Sequence, residues 1–169
     1  MKLISALRVV APTAVATALI CAATLPADAA AMPKFAKPKV FGTSFQSDPH
    51  HNFRRLTPRH DGILRGWVTR YRSGVAVYEP IRWVKDKTGH TEGYFQGAGK
   101  SYASRVAKNV VFYSATGCKG VTVTVKTASL GSKRCPRGVL ISRMKAGHYP
   151  ALITVYRGKI VKVQEIFTP

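Results

Sequence analysis

ILRGWVTRYR (63–72) and VAVYEPIRWV (75–84) stand on either side of Ser73-Gly74. Both runs are rich in β-branched and aromatic residues, and two such runs joined by a short glycine-containing turn predict a β-hairpin. Pro80 has no N–H to offer a ladder, so the second run is expected at a sheet edge or a bulge.

Beyond the hairpin, residues 85 to 108 read as a polar, glycine-containing excursion. NVVFYSA (109–115) reads as a strand, and VTVTVK (121–126) alternates with valine on one face. The period then changes. Pro136 opens PRGVLISRMKAG, where Val139, Leu140, Arg143 and Met144 fall at helical spacing and Gly147 supplies a C-terminal stop. ALITVY (151–156) and KIVKVQEIF (159–167) predict a second hairpin turning at Arg157-Gly158. A short helix between the third strand region and the last hairpin fits a small antiparallel β-barrel of OB-like or SH3-like type. An α+β roll with one helix fits the same order.

On the N-terminal side, residues 30–60 carry four prolines and the cations Lys34, Lys37, Lys39, Arg54, Arg55 and Arg59, with little periodicity. The composition predicts a flexible basic arm. Phe35, Phe41, Phe45 and Phe53 exceed what a linker needs, so part of the arm is expected to dock on the domain or on a partner. Before it stands MKLISALRVVAPTAVATALICAATLPADAAAMP, with Lys2 and Arg8 ahead of an apolar run from Val9 to about Leu25 and with A-x-A options at Ala27–Ala29 and Ala29–Ala31. That layout predicts a signal peptide over residues 1–29 and a secreted, extracellular protein. Pro12, the alanine content and the missing basic flank argue against a membrane anchor. Ile20 before Cys21 argues against lipidation.

Cleavage would leave a single domain over 61–169 behind the arm, with Cys118 and Cys135 as the remaining thiols. In an exported chain such a pair is expected to be bridged, and a loop of roughly 18 residues stabilises by about 3 kcal/mol in the chain-entropy account. Charge is the strongest compositional signal. The chain has 27 Lys plus Arg against 7 Asp plus Glu, and losing Lys2, Arg8 and Asp28 leaves 25 against 6, or +19. Such an excess steers a protein toward polyanions, here extracellular nucleic acid or an anionic cell-wall polymer.

GYFQGAGKS (93–101) invites comparison with a nucleotide phosphate loop. That loop needs glycine, four residues, then Gly-Lys-Ser/Thr. Five places before Gly99 stands Tyr94, and Gly93 is one place too early, so the motif is excluded. The stretch reads as a loop setting Tyr94, Phe95 and Tyr102 beside Lys100 and Arg105, aromatics and cations of the kind that hold single strands. Asp48, His50, His51, His60 and Asp61 contain metal-ligating types, but the spacing follows no standard motif and Pro49 and Pro58 interrupt it. A solvated arm is the expectation, with no metal and no cofactor. No G-x-S-x-G elbow is present. A ribonuclease-like set is conceivable from Glu79 or Glu92 with His90 or His148 and Arg82, without any family motif around it.

The first hairpin is read with Arg65, Trp67 and Tyr71 on one face and Arg70 and Arg72 on the other; Arg82, Trp83, Lys85 and Lys87 follow. Interleaved Arg, Trp and Tyr on a β surface suit linear polyanions through charge and stacking. Trp67 and Trp83 suit a core equally well. The predicted binding set is Arg65, Trp67, Arg70, Tyr71, Arg72, Arg82, Lys85, Lys87, Tyr94, Lys100, Tyr102 and Arg105.

The leader, the late cysteine pair and the closing ALITVYRGKIVKVQEIFTP resemble small uncharacterised secreted proteins of actinobacterial type. The resemblance covers mainly Gly62 to Pro169, implies export and a β-rich fold, and implies no activity. The sequence therefore predicts a non-catalytic polyanion-binding protein, with a protein-binding accessory or inhibitor module and a small secreted ribonuclease as the alternatives.

Overall fold

The computed structural model describes residues 32–168; the expected leader lies outside them. The first hairpin forms β1 (Gly62–Arg72) and β2 (Val75–Lys85). Ser73 and Gly74 both take positive φ, 49° and 81°, the turn geometry whose twist matches the flanking strands. β3 (Gly93–Gly97), the long β4 (Tyr102–Ser114), β5 (Val125–Lys126), β6 (Leu130–Gly131) and β7 (Lys133–Cys135) follow. A 3-10 turn over Thr127–Ser129 separates β5 from β6. Then come α1 (Arg137–Ala146), β8 (Ala151–Tyr156) and β9 (Lys159–Glu165).

Seven strands form one sheet in the order β3-β2-β1-β8-β9-β4-β7, and β2 pairs with β4 as well. The pairing is antiparallel except between β4 and β9, which run parallel and depart from the expected wholly antiparallel pattern. Pro80 sits where β2 changes partner: Tyr78 pairs with Tyr102 on β4, and Ile81 with Gly97 on β3. The missing N–H thus falls in the gap between two ladders, while the opposite side pairs with Gly66.

Leu64, Val68, Tyr78, Tyr102, Val106, Phe112, Ile153, Val155, Ile160 and Val163 form the main core, against which α1 seats Leu140 and Met144. Cys118 and Cys135 form a disulfide at the edge of this core. Among the described residues no helix is long and apolar enough to cross a membrane.

Three expectations are corrected. The excursion at 85–108 contains β3 and the first half of β4. β3 is hidden because glycines, poor strand formers, bound it. Packing requires them: a Cβ on Gly93 would meet the Trp83 ring at 2.8 Å, and one on Gly97 would meet the Glu79 carboxylate at 2.5 Å. The start of β4 is hidden because Ser104 points into the core, where it bonds the Tyr78 hydroxyl at 2.9 Å.

VTVTVK is a strand only at Val125–Lys126, and its valines do not face the core. Thr124 turns inward, its hydroxyl donating to Ser114 O at 3.0 Å, and leaves Val121 and Val123 exposed.

The arm adopts neither helix nor strand from residue 32 to 60, yet it is pinned to the sheet. Trp83 N donates to Gly42 O at 2.8 Å, Gln46 Nε2 to Ile63 O at 2.8 Å, and Ala103 N to Thr57 O at 3.0 Å. Val40 is buried with Leu152 and Ile166 in a second small core on the outer side of the sheet. Phe41 meets Trp83 edge-on at 4.8 Å, and Phe35 and Phe45 also contact domain side chains. The aromatics that looked excessive for a linker are the anchors.

Candidate polyanion-binding face

β1 carries a bulge between Val68 and Arg70. Because side chains alternate along a strand, one extra residue exchanges the faces beyond it. Leu64 and Val68 point into the core before the bulge, and Tyr71 packs against that core after it. Tyr71 therefore does not share a face with Arg65 and Trp67, as its spacing had suggested.

The second half of β1 directs Arg70 and Arg72 outward. Arg72 pairs with Val75, Val75 with Arg105, Arg105 with Lys159, and Lys159 with Tyr156, so one lateral row crosses β1, β2, β4, β9 and β8. Paired residues share a face. Arg72, Arg105 and Lys159 are thereby set along one exposed line, with Arg70 one row away opposite Val77. Val75, Val77, Ala103 and Leu56 floor a shallow groove beside Arg70 and Arg72. Arg157 lies over the Tyr156 ring at 5.2 Å and extends the row at the β8–β9 turn. Among the described residues the ion pairs are His60–Asp48 and Arg143–Glu165, so none of these side chains is in an ion pair, although the Arg157 backbone N–H donates to Asp61 Oδ1 at 2.7 Å.

The other predicted residues separate. Arg65 is 2% exposed and unavailable to a ligand. Its guanidinium donates to Ile81 O at 2.9 Å, to Ser44 O at 2.6 Å and to Lys39 O, beneath the pinned arm. Tyr102 is also core, 5.6 Å from Tyr78, and its hydroxyl is pushed up to about 12 by burial and the nearby Asp48 charge. Trp67 is half-buried and donates Nε1–H to Glu79 Oε1 at 2.7 Å. Arg82 bonds Gln96 at 2.9 Å and covers Phe45 on the β2–β3 ribbon. Exposed Tyr94 and Lys85 are on the same ribbon, and Lys87 is in its turn. Lys100 stands over Phe53 at 5.4 Å, away from both groups.

GYFQGAGKS does bind an anion, but an internal one: Gly99 N donates to Glu79 Oε2 at 2.8 Å. With Trp67 on the other oxygen, both Glu79 oxygens accept bonds from protein donors. His148 meets Trp67 edge-on at 5.2 Å, so Glu79 and His148 flank one indole; His90 and Glu92 are exposed in the β2–β3 turn.

Three of the metal-ligating types that the sequence offered in the arm, where a solvated arm was the expectation, are brought together by the fold. Asp48, His51 and His60 bring one ligating atom each to within 4.8 Å of one another, the arrangement among the described residues that can hold a metal. Asp48 is inward, and His60 Nδ1 lies 2.7 Å from its Oδ1. Burial raises this carboxyl, but the side-chain and backbone bonds from His60 outweigh it and the net shift is downward. The fold of the coil around Pro49 and Pro58 makes the cluster, which is why the linear spacing follows no standard motif.

Compared with known proteins, the chain matches no family model, no curated protein and no solved structure.

Proposed function

We propose that the protein is exported through its N-terminal leader and binds an extracellular polyanion, nucleic acid or anionic cell-wall polymer, on an OB-type barrel. The barrel reading rests on the sequence of partners β1–β2–β4–β9–β8–β1, which returns to its start, with α1 between the third and fourth of these strands. The observation that carries the function is the row Arg72–Arg105–Lys159 with Arg70 and Arg157. In an OB-type barrel the second and third strands and the turns joining strands 1–2 and 4–5 form the ligand face. Those are β2, β4, the Ser73-Gly74 turn and the Arg157-Gly158 turn, where the unpaired cations gather. Tyr94 lies on the other ribbon, so charge outweighs stacking in this reading and sequence preference is weak.

The test is binding of the full-length chain to labelled single-stranded DNA, RNA and wall polyphosphate at about 50 and about 300 mM salt. Five cations each meeting a phosphate give a log–log slope near −3.5, so affinity falls roughly 500-fold across that range. Arg72→Ala with Arg105→Ala lowers the slope by about 1.4. An unaltered slope in the double variant, or no binding at low salt, refutes the assignment.

A second reading, a protein-binding module, draws on Val121 and Val123, 83% and 56% exposed beside the disulfide. Binding that persists at high salt and is lost in Val121→Ser with Val123→Ser would favour it.

A further inference from the structure

We infer that Asp48, His51 and His60 form a binding site for a borderline divalent cation of the zinc class, independent of the polymer held by the cationic row. Two imidazoles and a carboxylate within 4.8 Å of one another make a nitrogen-rich, three-ligand set. Zn²⁺ accepts such a set, whereas Mg²⁺ and Ca²⁺ select oxygen.

The surroundings already orient the ligands. The His51 ring stands edge-on to Phe53 and to Tyr102, each at 4.6 Å, and its Nε2 faces Thr57 Oγ1 at 3.4 Å. The Asp48 side chain is 5% exposed and is also approached by the His60 backbone N–H at 3.3 Å. The strand beneath is fixed through Thr57 O and Ala103 N. A carboxylate turned inward beside two imidazoles is a donor set that fits such a cation.

Asp48 Oδ1 and His60 Nδ1 are 2.7 Å apart, closer than two ligands of one tetrahedral ion with bonds of about 2.0 Å. Cation entry therefore replaces the proton between them and moves the His60 ring outward by about half an ångström. That ring is 65% exposed and has room. Arg59 lies close enough to act on Asp48, and its like charge weakens cation binding. Three protein ligands leave a fourth position for water or an anionic group. Lys100, beside Asp48 and His51 in the adjoining pocket, would attract the anion.

The test uses the untagged full-length chain, stripped with chelator and titrated calorimetrically with Zn²⁺, and with Co²⁺ as a spectroscopic probe. One Zn²⁺ per chain is expected, together with Co²⁺ visible bands of tetrahedral intensity. His60→Ala should weaken Zn²⁺ at least tenfold; it also removes the 2.7 Å partner of the inward Asp48 carboxylate, so a melting curve recorded without metal checks that the variant stays folded. His51→Ala and Asp48→Asn should weaken it as much, while His50→Ala, a neighbouring exposed histidine outside the cluster, should not. Absence of stoichiometric Zn²⁺ binding, full affinity in His60→Ala, or an equal loss in His50→Ala overturns the site. So does a preference for Mg²⁺.

Discussion

Arg65 and Arg72 stand on the same strand, and the bulge between them leaves both pointing away from the main core, yet their fates are opposite. The arm covers Arg65 and spends its donors on three backbone carbonyls; nothing covers Arg72, which has no carboxylate partner among the described ion pairs. One arginine is an internal staple and the other is open to a ligand. The difference lies in what is laid over each half of the strand, and neither residue's immediate sequence announces it.

Substitution at the two positions should break the symmetry most visibly. Arg65→Ala orphans the carbonyls of Lys39, Ser44 and Ile81 and detaches the arm, at a cost of about 3–5 kcal/mol. Arg65→Met should recover part of this, because it fills space without burying a charge. Arg72→Ala should stay within about 0.5 kcal/mol, as surface changes do. Urea unfolding compares the three directly. Equal losses at positions 65 and 72 would mean that the arm does not cover Arg65 in solution.

Cutting the cover rather than the staple is the next sharper version. Phe41 packs on Trp83 at 4.8 Å and on Phe95 at 6.1 Å. Phe41→Ala should cost about 2–3 kcal/mol, below a fully buried phenylalanine because the ring is half-buried. It should also speed amide exchange at Trp83, whose N–H is held by Gly42 O. Exchange at core amides such as Ile153 should change only with global stability. A uniform acceleration everywhere would show that arm and sheet unfold as one unit.

The contrast explains which features were legible. Both hairpin turns were, because Ser73-Gly74 and Arg157-Gly158 need positive φ and the dipeptides say so. α1 was, because Pro136 and Gly147 mark its ends. These are local signals. The bulge that turns Tyr71 inward, the glycines that let β3 close on Trp83 and Glu79, and the coil that gathers Asp48, His51 and His60 are settled by distant contacts. Of the predicted binding set, Arg70, Arg72 and Arg105 are brought together, whereas Arg65 and Tyr102 are buried. Lys159 and Arg157 were passed over because they stand far along the chain, and parallel pairing with β4 brings the last hairpin alongside. The charge and the shared face of Arg70 and Arg72 were readable; which distant cations join them was not.

Asp86 offers the smallest effect and the clearest opposite to Arg65. Arg65 reaches partners up to 26 residues away inside the fold, while Asp86 finds all of its partners within five residues in an exposed turn. Its Oδ1 accepts Thr88 N at 2.9 Å, and its Oδ2 accepts Thr91 N at 3.1 Å. Bonds from the Thr88 backbone and hydroxyl, then the Thr91 backbone, hold the carboxyl at about 2, below its ordinary 3.8. The folded value lies below the unfolded one, so the contribution is fully present above about pH 4 and disappears as pH falls through about 2. An NMR titration of the Asp86 side-chain carbon should show its midpoint near 2, and Thr88→Ala should move that midpoint upward while leaving Arg65 and the arm undisturbed. A midpoint at 3.8 in the parent chain would mean that the turn does not hold its bonds in water, and that a charge on this protein is fixed only where the arm or the core encloses it.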